Sequence, residues 1–137
     1  MPKKELVPSD RKHSIIYVLI DPFSGDVKYV GQTTRSLSAR WSQHMCSARS
    51  KVSSKNHRDN WIRSLIKNRS VPHIEELDHG YWNSQERDIR ECYWIDTFVS
   101  KGANLTNHTL GGSGGYHNPV KVKHLVTSLK AHEQLVS

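Results

Sequence analysis

The hydrophobic and polar residues near the start of the chain form two short apolar runs separated by turn residues. The first run, SIIYVLI at 14–20, is rich in β-branched and aromatic residues and is followed by Asp21 and Pro22. The second, VKYVG at 27–31, resumes the same strand chemistry after Gly25. This pattern predicts a β-hairpin. Because the first run is apolar nearly throughout, we predict that it is a central strand covered on both faces.

Two amphipathic segments follow the hairpin. Ser36 is a suitable N-cap for a helix of about three turns, whose apolar positions recur at helical spacing. These positions are Leu37, Trp41, His44 and Ala48. From Met45 the sequence MCSARSKVSSKN gains serine and lysine and loses this periodicity, which predicts a loop. Residues 57–68, HRDNWIRSLIKN, then predict a second helix with a basic outer face, which Pro72 ends.

The following part of the chain predicts a third strand and a long helix. The sequence HIEEL at 73–77 alternates weakly between apolar and polar positions, which favours a strand. Asn83 followed by Glu86 resembles a capping box and predicts a helix that continues to Gly102. The inner stripe of this helix is Glu91, Trp94, Ile95 and Phe98.

The length of the chain, 137 residues and 15.7 kDa, suits one compact domain. We predict a flexible arm over residues 1–13, because they combine two prolines and mixed charges without an apolar period. The folded domain then covers 14–112. Residues 113–137 predict a linker and a basic C-terminal tail helix.

Composition argues against several classes of protein. No apolar run approaches the roughly 18 residues that span a bilayer, and the first residues lack the pattern of a secretory signal. We therefore expect a cytoplasmic location and no membrane partner. Cys46 and Cys92 lie far apart and outside any C-x-x-C pair, which argues against a zinc ribbon or a disulfide framework. We expect both thiols to be buried.

Positive charge is concentrated in one part of the sequence. Between Arg35 and Arg69, nine arginines and lysines stand against the single acid Asp59, a local charge of +8, whereas the whole chain carries +7. A one-sided cationic surface is typical of proteins that bind polyanions, because each neutralised phosphate releases condensed counterions. We predict a nucleic-acid-binding surface, with an ordinary solvated basic surface as the alternative. Its candidate residues are Arg35, Arg49, Lys51, Lys55, Arg58, Arg63 and Lys67.

A few side chains fall at positions where they could carry chemistry. Glu91 interrupts an apolar stripe, so its carboxylate needs a cation or a buried arginine, unless it lies at the edge of the stripe. Arg40 and His44 are four residues apart on a predicted helix and project toward a common point, although a pair of surface cations has the same spacing. Tyr17 and Tyr29 lie on the two strands of the hairpin, where a packing role is the alternative.

In their order along the chain these residues resemble the GIY-YIG nuclease family, of the stand-alone homing or phage type. The resemblance covers residues 14–112 and rests on IIY at 15–17, YVG at 29–31, Arg40-Trp41 with His44, Glu91 in RECYWI, and Asn104 in GANL. It implies an α+β fold with a small three-stranded antiparallel sheet flanked by helices. It also implies DNA as the substrate and one divalent cation as the cofactor, Mg²⁺ with Mn²⁺ able to replace it.

The resemblance further implies a role for each residue of the site. Tyr17 is the general base or orients the attacking water, and His44 takes or relays its proton. Tyr29 could share this role. Arg40 neutralises charge on the pentacovalent phosphorus, and Glu91 holds the cation, which stabilises the leaving 3′ oxygen. The implied catalytic set is Tyr17, Tyr29, Arg40, His44, Glu91 and Asn104.

Three positions differ from the family pattern or leave it open. Ile15 stands where the family name has glycine. Gln32 occupies a position where some repair members carry lysine, so a second phosphate-binding cation is either missing or supplied by Arg35. A histidine used by certain homing members corresponds to His57 or to Asn56.

Three functions are compatible with these features. The first is a metal-dependent endonuclease that cuts one DNA strand at each active site, as a monomer or a transient dimer on DNA. The second is a non-catalytic module that binds nucleic acid on a nuclease-like fold, and the complete set of catalytic residue types argues against it. The third, an HNH-type nuclease built on His108 and His117, is disfavoured because no histidine pair there has a strand-and-helix context.

Overall fold

The computed structural model describes residues 10–50 and 56–107 of the chain. Its elements are β1 (Lys12–Ile20), β2 (Val27–Thr33), α1 (Leu37–Arg49), α2 (His57–Lys67), β3 (His73–Trp82) and α3 (Ser84–Ser100). β1 is the middle strand of a three-stranded sheet ordered β2-β1-β3, and both neighbours run antiparallel to it. The predicted α+β class and the antiparallel sheet are confirmed. The linker and tail helix predicted for 113–137 lie outside the described residues.

Both faces of β1 are buried, as its nearly unbroken apolar sequence predicts. The buried residues on the face toward α1 and α2 are Ile15, Tyr17, Leu19, Met45, Ala48 and Ile62. Those on the face toward α3 are Ile16, Val18, Val30 and Ile95. Since a fully buried aliphatic side chain contributes about 1.5–3 kcal/mol, the strand is held firmly from both sides. The alternation along β1 also decides that Tyr17 faces the first two helices.

The outer edge of β2 is covered by the residues that follow α3. The pairing of β1 with β2 shifts between Leu19 and Ile20, which leaves Lys28 as the extra residue of a bulge. The carbonyl of Lys28 accepts hydrogen bonds from the backbone N and the side-chain Oγ1 of Thr106, at 2.6 and 2.8 Å. The side chain of Asn107 then pairs with the next part of the strand. Polar groups of an otherwise open sheet edge are satisfied in this way.

The first helix is longer than its sequence suggests. α1 continues to Arg49, so the loop predicted from Met45 is wrong for the first residues of that segment. Met45 and Ala48 are buried against the sheet, and Ser47 donates its hydroxyl to a carboxylate oxygen of Asp59 at 2.6 Å. Serine favours loops by its local propensity, but here a partner on another helix satisfies its hydroxyl.

Three other boundaries differ from the predicted ones. α2 ends at Lys67, where Arg69 takes a left-handed conformation with φ 60°. β3 extends to Trp82, beyond the segment HIEEL, because it pairs with the whole length of β1. β1 begins at Lys12, so Lys12 and His13 belong to the strand and not to the predicted arm. Long-range pairing sets these ends, and local sequence carries little information about it.

The start and end of α3 agree with the prediction. The side chain of Asn83 accepts a hydrogen bond from the backbone N of Glu86 at 2.8 Å, and the Glu86 carboxylate accepts one from the backbone N of Asn83 at 2.9 Å. This is the predicted capping box. Gly102 follows the helix with φ 91°, a conformation that favours glycine.

Two expectations about the surface have different outcomes. Cys92 is buried as expected, but Cys46 is exposed on the outer side of α1, so the prediction of two buried thiols is wrong for Cys46. Across residues 10–50 and 56–107, none of the helices combines the length and the apolar character that crossing a membrane requires.

Candidate active site

The hydroxyl of Tyr17 lies where β1 faces α1, and two side chains of that helix enclose it. Its oxygen is 2.6 Å from Nε2 of His44 and accepts a hydrogen bond of 3.0 Å from Nε of Arg40. Tyr17 is fully buried and His44 is only 2% exposed. A phenol, an imidazole and a guanidinium are therefore joined at one buried oxygen atom.

A glycine on the neighbouring strand makes room for the Tyr17 ring. Gly31 is the register partner of Tyr17, and the end of the ring lies against the glycine Cα. A Cβ at position 31 would lie 2.5 Å from Cζ of Tyr17 and 2.7 Å from Cε2 of Tyr29. Carbon atoms do not approach so closely, so any side chain at this position would displace the tyrosines.

The start and middle of α1 fix the two residues that contact Tyr17. The hydroxyl of Ser36 caps the helix by accepting a backbone N–H of the first turn at 3.1 Å. Trp41 donates from Nε1 to the carbonyl of Pro72 at 2.9 Å, which ties the helix to the segment before β3. Arg40 and His44 are one turn apart on this helix, so their side chains reach the same point.

The second tyrosine lies beside the first, on β2. Its ring centre is 6.2 Å from that of Tyr17, and the Tyr29 and His44 rings meet edge to face at 5.4 Å. Arg58 of α2 lies over the Tyr29 ring, with Cζ 5.2 Å from the ring centre. Its Nη1 also donates to the Tyr29 hydroxyl at 3.3 Å. The site therefore contains two arginine–tyrosine pairs, one from each of the first two helices.

Burial sets the protonation states around Tyr17. It raises the pKa of the phenol above its ordinary value, and the charge of Arg40 opposes the shift only in part. Burial, together with the charges of Arg40 and Arg58, lowers the pKa of His44 to about 3. At neutral pH Tyr17 is protonated and His44 is neutral. Since Arg40 already donates to the phenol oxygen, we assign the hydroxyl proton to the hydrogen bond with Nε2 of His44.

Glu91 approaches the same group from α3, the helix on the opposite face of the sheet. It is buried, and its negative charge contributes to the raised pKa of Tyr17, so the two groups lie within electrostatic range. One turn earlier, Asp88 is also buried and accepts a hydrogen bond of 2.8 Å from Nε2 of Gln32 on β2. Two buried carboxylates of α3 thus lie on the side of the helix that packs on the sheet.

A comparison with models of known protein families matches residues 13–104 to the GIY-YIG catalytic domain. The chain belongs to the GIY-YIG nuclease family. The match covers well over half of the chain and confirms the resemblance inferred from its residues. A domain of this family makes the protein a nuclease by class, and DNA is the substrate that it implies. Comparisons with curated proteins and with solved structures gave no match.

The GIY-YIG residues named from the sequence do not all meet. Those around one point are Tyr17, Tyr29, Arg40 and His44, with Glu91 in electrostatic range. Asn104 is exposed and lines a crevice of about 350 Å³ between the β1–β2 turn and the end of α3, whose lining includes no residue of that group. His57 is exposed at the first residue of α2, and Asn56 is the N-cap of this helix.

The predicted nucleic-acid-binding residues fall into three groups. The exposed ones are Arg35, Arg49 and Lys67. Arg58 and Arg63 are half-buried, and each donates to groups of the protein, Arg58 to the Tyr29 hydroxyl and Arg63 to the carbonyl of Ala48 at 3.3 Å. Lys51 and Lys55 lie outside the described residues. The exposed cations could meet DNA phosphates directly, whereas Arg58 belongs to the site itself.

Sequence reasoning missed three residues that hold the site together. Asp59 carries the signal of being the only acid in a strongly basic stretch, and it binds Arg58 at 3.2 Å. Asp88 lies three residues before Glu91 and therefore on the same face of a helix. Asn107 pairs with both backbone groups of Val30 at 3.1 and 2.9 Å, and no local signal reveals this contact.

A divalent cation would be held chiefly by Glu91. Mg²⁺ in enzymes often binds through one or two carboxylates and completes its shell with water and substrate phosphate. In the described part of the chain no three His, Cys, Asp or Glu residues form a ligand cluster, which suits such a site better than a closed protein cage. The negative charge of Glu91 raises the pKa of Tyr17, and a cation beside it would oppose that effect. The residues present therefore fit the cation that the family implies.

Proposed function

We propose that the protein is a metal-dependent endonuclease that hydrolyses DNA phosphodiester bonds and cuts one strand at each active site. The main support is the Tyr17 hydroxyl, held between Arg40 and His44 with the buried Glu91 in electrostatic range. A proton-transfer pair, a cationic fork and a metal-binding carboxylate are the groups that phosphodiester hydrolysis needs. The proposed catalytic set is Tyr17, Tyr29, Arg40, His44 and Glu91, with Asn104 added on family resemblance alone.

Arg40 is the proposed phosphate-binding residue. Its Nε donates to Tyr17 and its Nη1 donates to the side chain of Gln43 at 3.1 Å. A phosphodiester gains negative charge as water attacks it, and a guanidinium can meet two of its oxygens with parallel hydrogen bonds. Because Tyr17 is fully enclosed, the turning of Arg40 toward a phosphate would also open the phenol oxygen to the attacking water.

Tyr17 and His44 are the proposed carriers of the proton. A phenol with an ordinary pKa of about 10 is a poor base at neutral pH, and burial makes Tyr17 a still weaker acid. We therefore favour a coupled transfer, in which Tyr17 gives its proton to Nε2 of His44 while its oxygen takes one from the water. A bound phosphate anion favours this transfer, because its negative charge raises the pKa of His44.

The proposed cation is Mg²⁺, with Mn²⁺ able to replace it. When bound it supplies positive charge that stabilises the leaving 3′ oxygen. Glu91 is fixed for this purpose by the packing of α3 on the sheet, since it lies one turn from the buried Ile95. A carboxylate oriented by packing can bind a cation without first losing conformational freedom.

The exposed basic residues are proposed to bind the DNA backbone. They are Arg35, Arg49 and Lys67, together with Arg63, Lys51 and Lys55. We further propose that the protein acts as a monomer, since one active site suffices to cut one strand. A break in both strands then requires two successive cuts or a transient dimer on DNA. The cytoplasmic location expected from composition stays a prediction.

Conversion of supercoiled plasmid to the nicked form tests the proposed function. We expect nicking with Mg²⁺ or Mn²⁺ and none with EDTA. Loss of the 3′ oxygen as leaving group predicts ends with a 3′ hydroxyl and a 5′ phosphate, which DNA ligase reseals without further treatment. Plasmid that stays intact over a broad range of enzyme and metal concentrations would contradict the proposal. Salt-sensitive gel shifts in that case would support the non-catalytic binding module instead.

A further inference from the structure

Arg58 and Asp59, in the first turn of α2, both turn inward toward the active site. The Asp59 side chain is fully buried, and that of Arg58 is only 19% exposed. Their sequence context, a stretch with nine cations and one acid, would place both on a solvated surface. An arginine and an aspartate withdrawn from water in such a stretch require a specific arrangement of partners.

Asp59 is fixed from several directions. One carboxylate oxygen accepts a hydrogen bond of 3.2 Å from Nε of Arg58, and the other accepts one of 2.6 Å from the hydroxyl of Ser47 on α1. Its backbone N donates to the side chain of Asn56, the N-cap residue, at 2.7 Å. The carboxylate therefore bridges α1 and α2 and holds the guanidinium of Arg58 in one orientation.

That orientation aims Arg58 at the active site. Its guanidinium lies over the Tyr29 ring with Cζ 5.2 Å from the centre, and its Nη1 donates to the Tyr29 hydroxyl at 3.3 Å. The Tyr29 ring in turn meets the ring of His44 at 5.4 Å. Arg40 bonded to Tyr17 and Arg58 bonded to Tyr29 thus lie on two sides of the same imidazole.

We propose that Arg58 is a second phosphate-binding catalytic residue, and that Asp59 is the positioning residue that holds it against Tyr29. The inference rests on the proposed function, which it extends. A phosphodiester at Tyr17 would meet one guanidinium from α1 and another from α2. The second cation that Gln32 cannot supply from β2 then comes from a different element of the fold. Gln32 is instead bonded to Asp88, at 2.8 Å.

Electrostatics favour this role over simple packing. Two guanidinium charges beside a buried histidine oppose its protonation, which is the step that the proposed proton transfer needs. A phosphate anion bound between Arg40 and Arg58 would neutralise both charges and remove that opposition. The arrangement therefore works against the chemistry in the free protein and with it in the complex.

A second arginine of the chain provides a matched control. Arg90 on α3 lies over the ring of Trp82, with Cζ 5.4 Å from the centre, and pairs with Asp78 at 3.5 Å. It therefore has the same kind of aromatic and acidic partners as Arg58, but neither partner belongs to the site around Tyr17. Equal substitutions at 58 and 90 remove the same charge and comparable packing.

The test compares the full-length wild-type protein with Arg58→Gln, Arg58→Lys and Arg90→Gln on one DNA duplex with Mg²⁺. Single-turnover rates at saturating enzyme report the chemical step, and gel shifts at fixed salt report binding. We expect Arg58→Gln to slow the chemical step by about 100-fold, as for loss of one donor to a developing oxyanion, while its Kd changes no more than that of Arg90→Gln. Arg58→Lys keeps the charge but not the fork, and should lie between the two.

Asp59→Asn tests the positioning role in the same assay. We expect it to slow the chemical step about 10-fold and to have no further effect when combined with Arg58→Gln, because it acts through that arginine. An equal loss in both backgrounds would make Asp59 purely structural and overturn its assignment. A wild-type protein that cuts, with Arg58→Gln cutting as fast as Arg90→Gln, would overturn the role of Arg58 alone. A wild-type protein that never cuts would overturn the proposed function as well.

Discussion

Tyr17 of β1 and His44 of α1 are 27 positions apart in the chain, and their side chains meet at 2.6 Å between the hydroxyl oxygen and Nε2. The contact is buried, so it joins the packing of the core to the chemistry of the site. It also gives a buried imidazole the polar partner that it needs. Changes that break this contact should therefore affect cleavage and stability to different extents, and the following predictions separate the two.

Tyr17→Phe should abolish cleavage and spare DNA binding. The ring still fills its place in the core, but Arg40 and His44 lose their common partner, which should lower stability by about 1–3 kcal/mol. We expect at least an approximately 100-fold loss of plasmid nicking with an unchanged gel-shift Kd. Tyr81→Phe is the control, because Tyr81 is 67% exposed. Loss of DNA affinity in Tyr17→Phe would contradict the role assigned to the hydroxyl.

Gly31→Ala should disable the site by displacing both tyrosines. The added Cβ would lie 2.5 Å from Cζ of Tyr17, and relief of such overpacking costs about 1–3 kcal/mol. Gly25→Ala is a matched control, since φ 78° makes alanine unfavourable there by about 1 kcal/mol while nothing lies near the added atom. We expect a lower Tm in both variants and lost nicking only in Gly31→Ala. Equal nicking by the two would show that Tyr17 tolerates displacement.

Glu91→Gln should remove metal-dependent cleavage and leave the fold intact. The amide fills the same buried space without the charge that binds a divalent cation, so the Tm should stay within about 4 °C of wild type. Calorimetric titration with Mn²⁺ should lose its heat of binding. Glu75→Gln makes the same change of charge at an exposed position of β3 and should behave as wild type. Metal binding retained by Glu91→Gln would place the cation elsewhere.

His44 should make the protein less stable as the pH falls. Its pKa is about 3 in the folded protein against an ordinary value of 6.5, so the unfolded chain binds more protons between these values. The free energy of unfolding should therefore decrease from about pH 6.5 downward, by at most about 1.4 kcal/mol per pH unit, and level off near pH 3. Urea unfolding at a series of pH values measures this slope. The slope should be smaller in His44→Gln, and identical slopes would refute the assignment.

Asn107→Ala and Asn104→Ala should separate positioning from catalysis. Asn107 holds Val30, between Tyr29 and Gly31, by two hydrogen bonds, so its loss should lower the Tm and slow nicking. Asn104 is exposed, and its replacement should leave the Tm unchanged. A catalytic role for Asn104 requires an additional rate loss of about 10-fold or more in Asn104→Ala. A rate loss confined to Asn107→Ala would remove Asn104 from the proposed set.

Much of the fold could be predicted because local signals agreed with the global structure. The unbroken apolar run of β1 indicated a central strand, and the Asn83 and Glu86 pair marked the start of α3. The errors arose where a distant partner overrides local propensity. Ser47 favours a loop by its residue type, yet it lies in α1 because Asp59 accepts its hydroxyl proton. The length of β3 likewise follows from its pairing with β1.

The sequence by itself determined the family, the order of the elements and the residue types of the site, because these depend on spacing and periodicity along the chain. Only the tertiary structure decided which cations belong to the site and which remain on the surface. Arg49 and Arg58 are alike in the sequence, but a buried carboxylate turns one of them inward onto Tyr29. Side-chain direction depends on partners brought together by folding, and sequence spacing does not encode those partners.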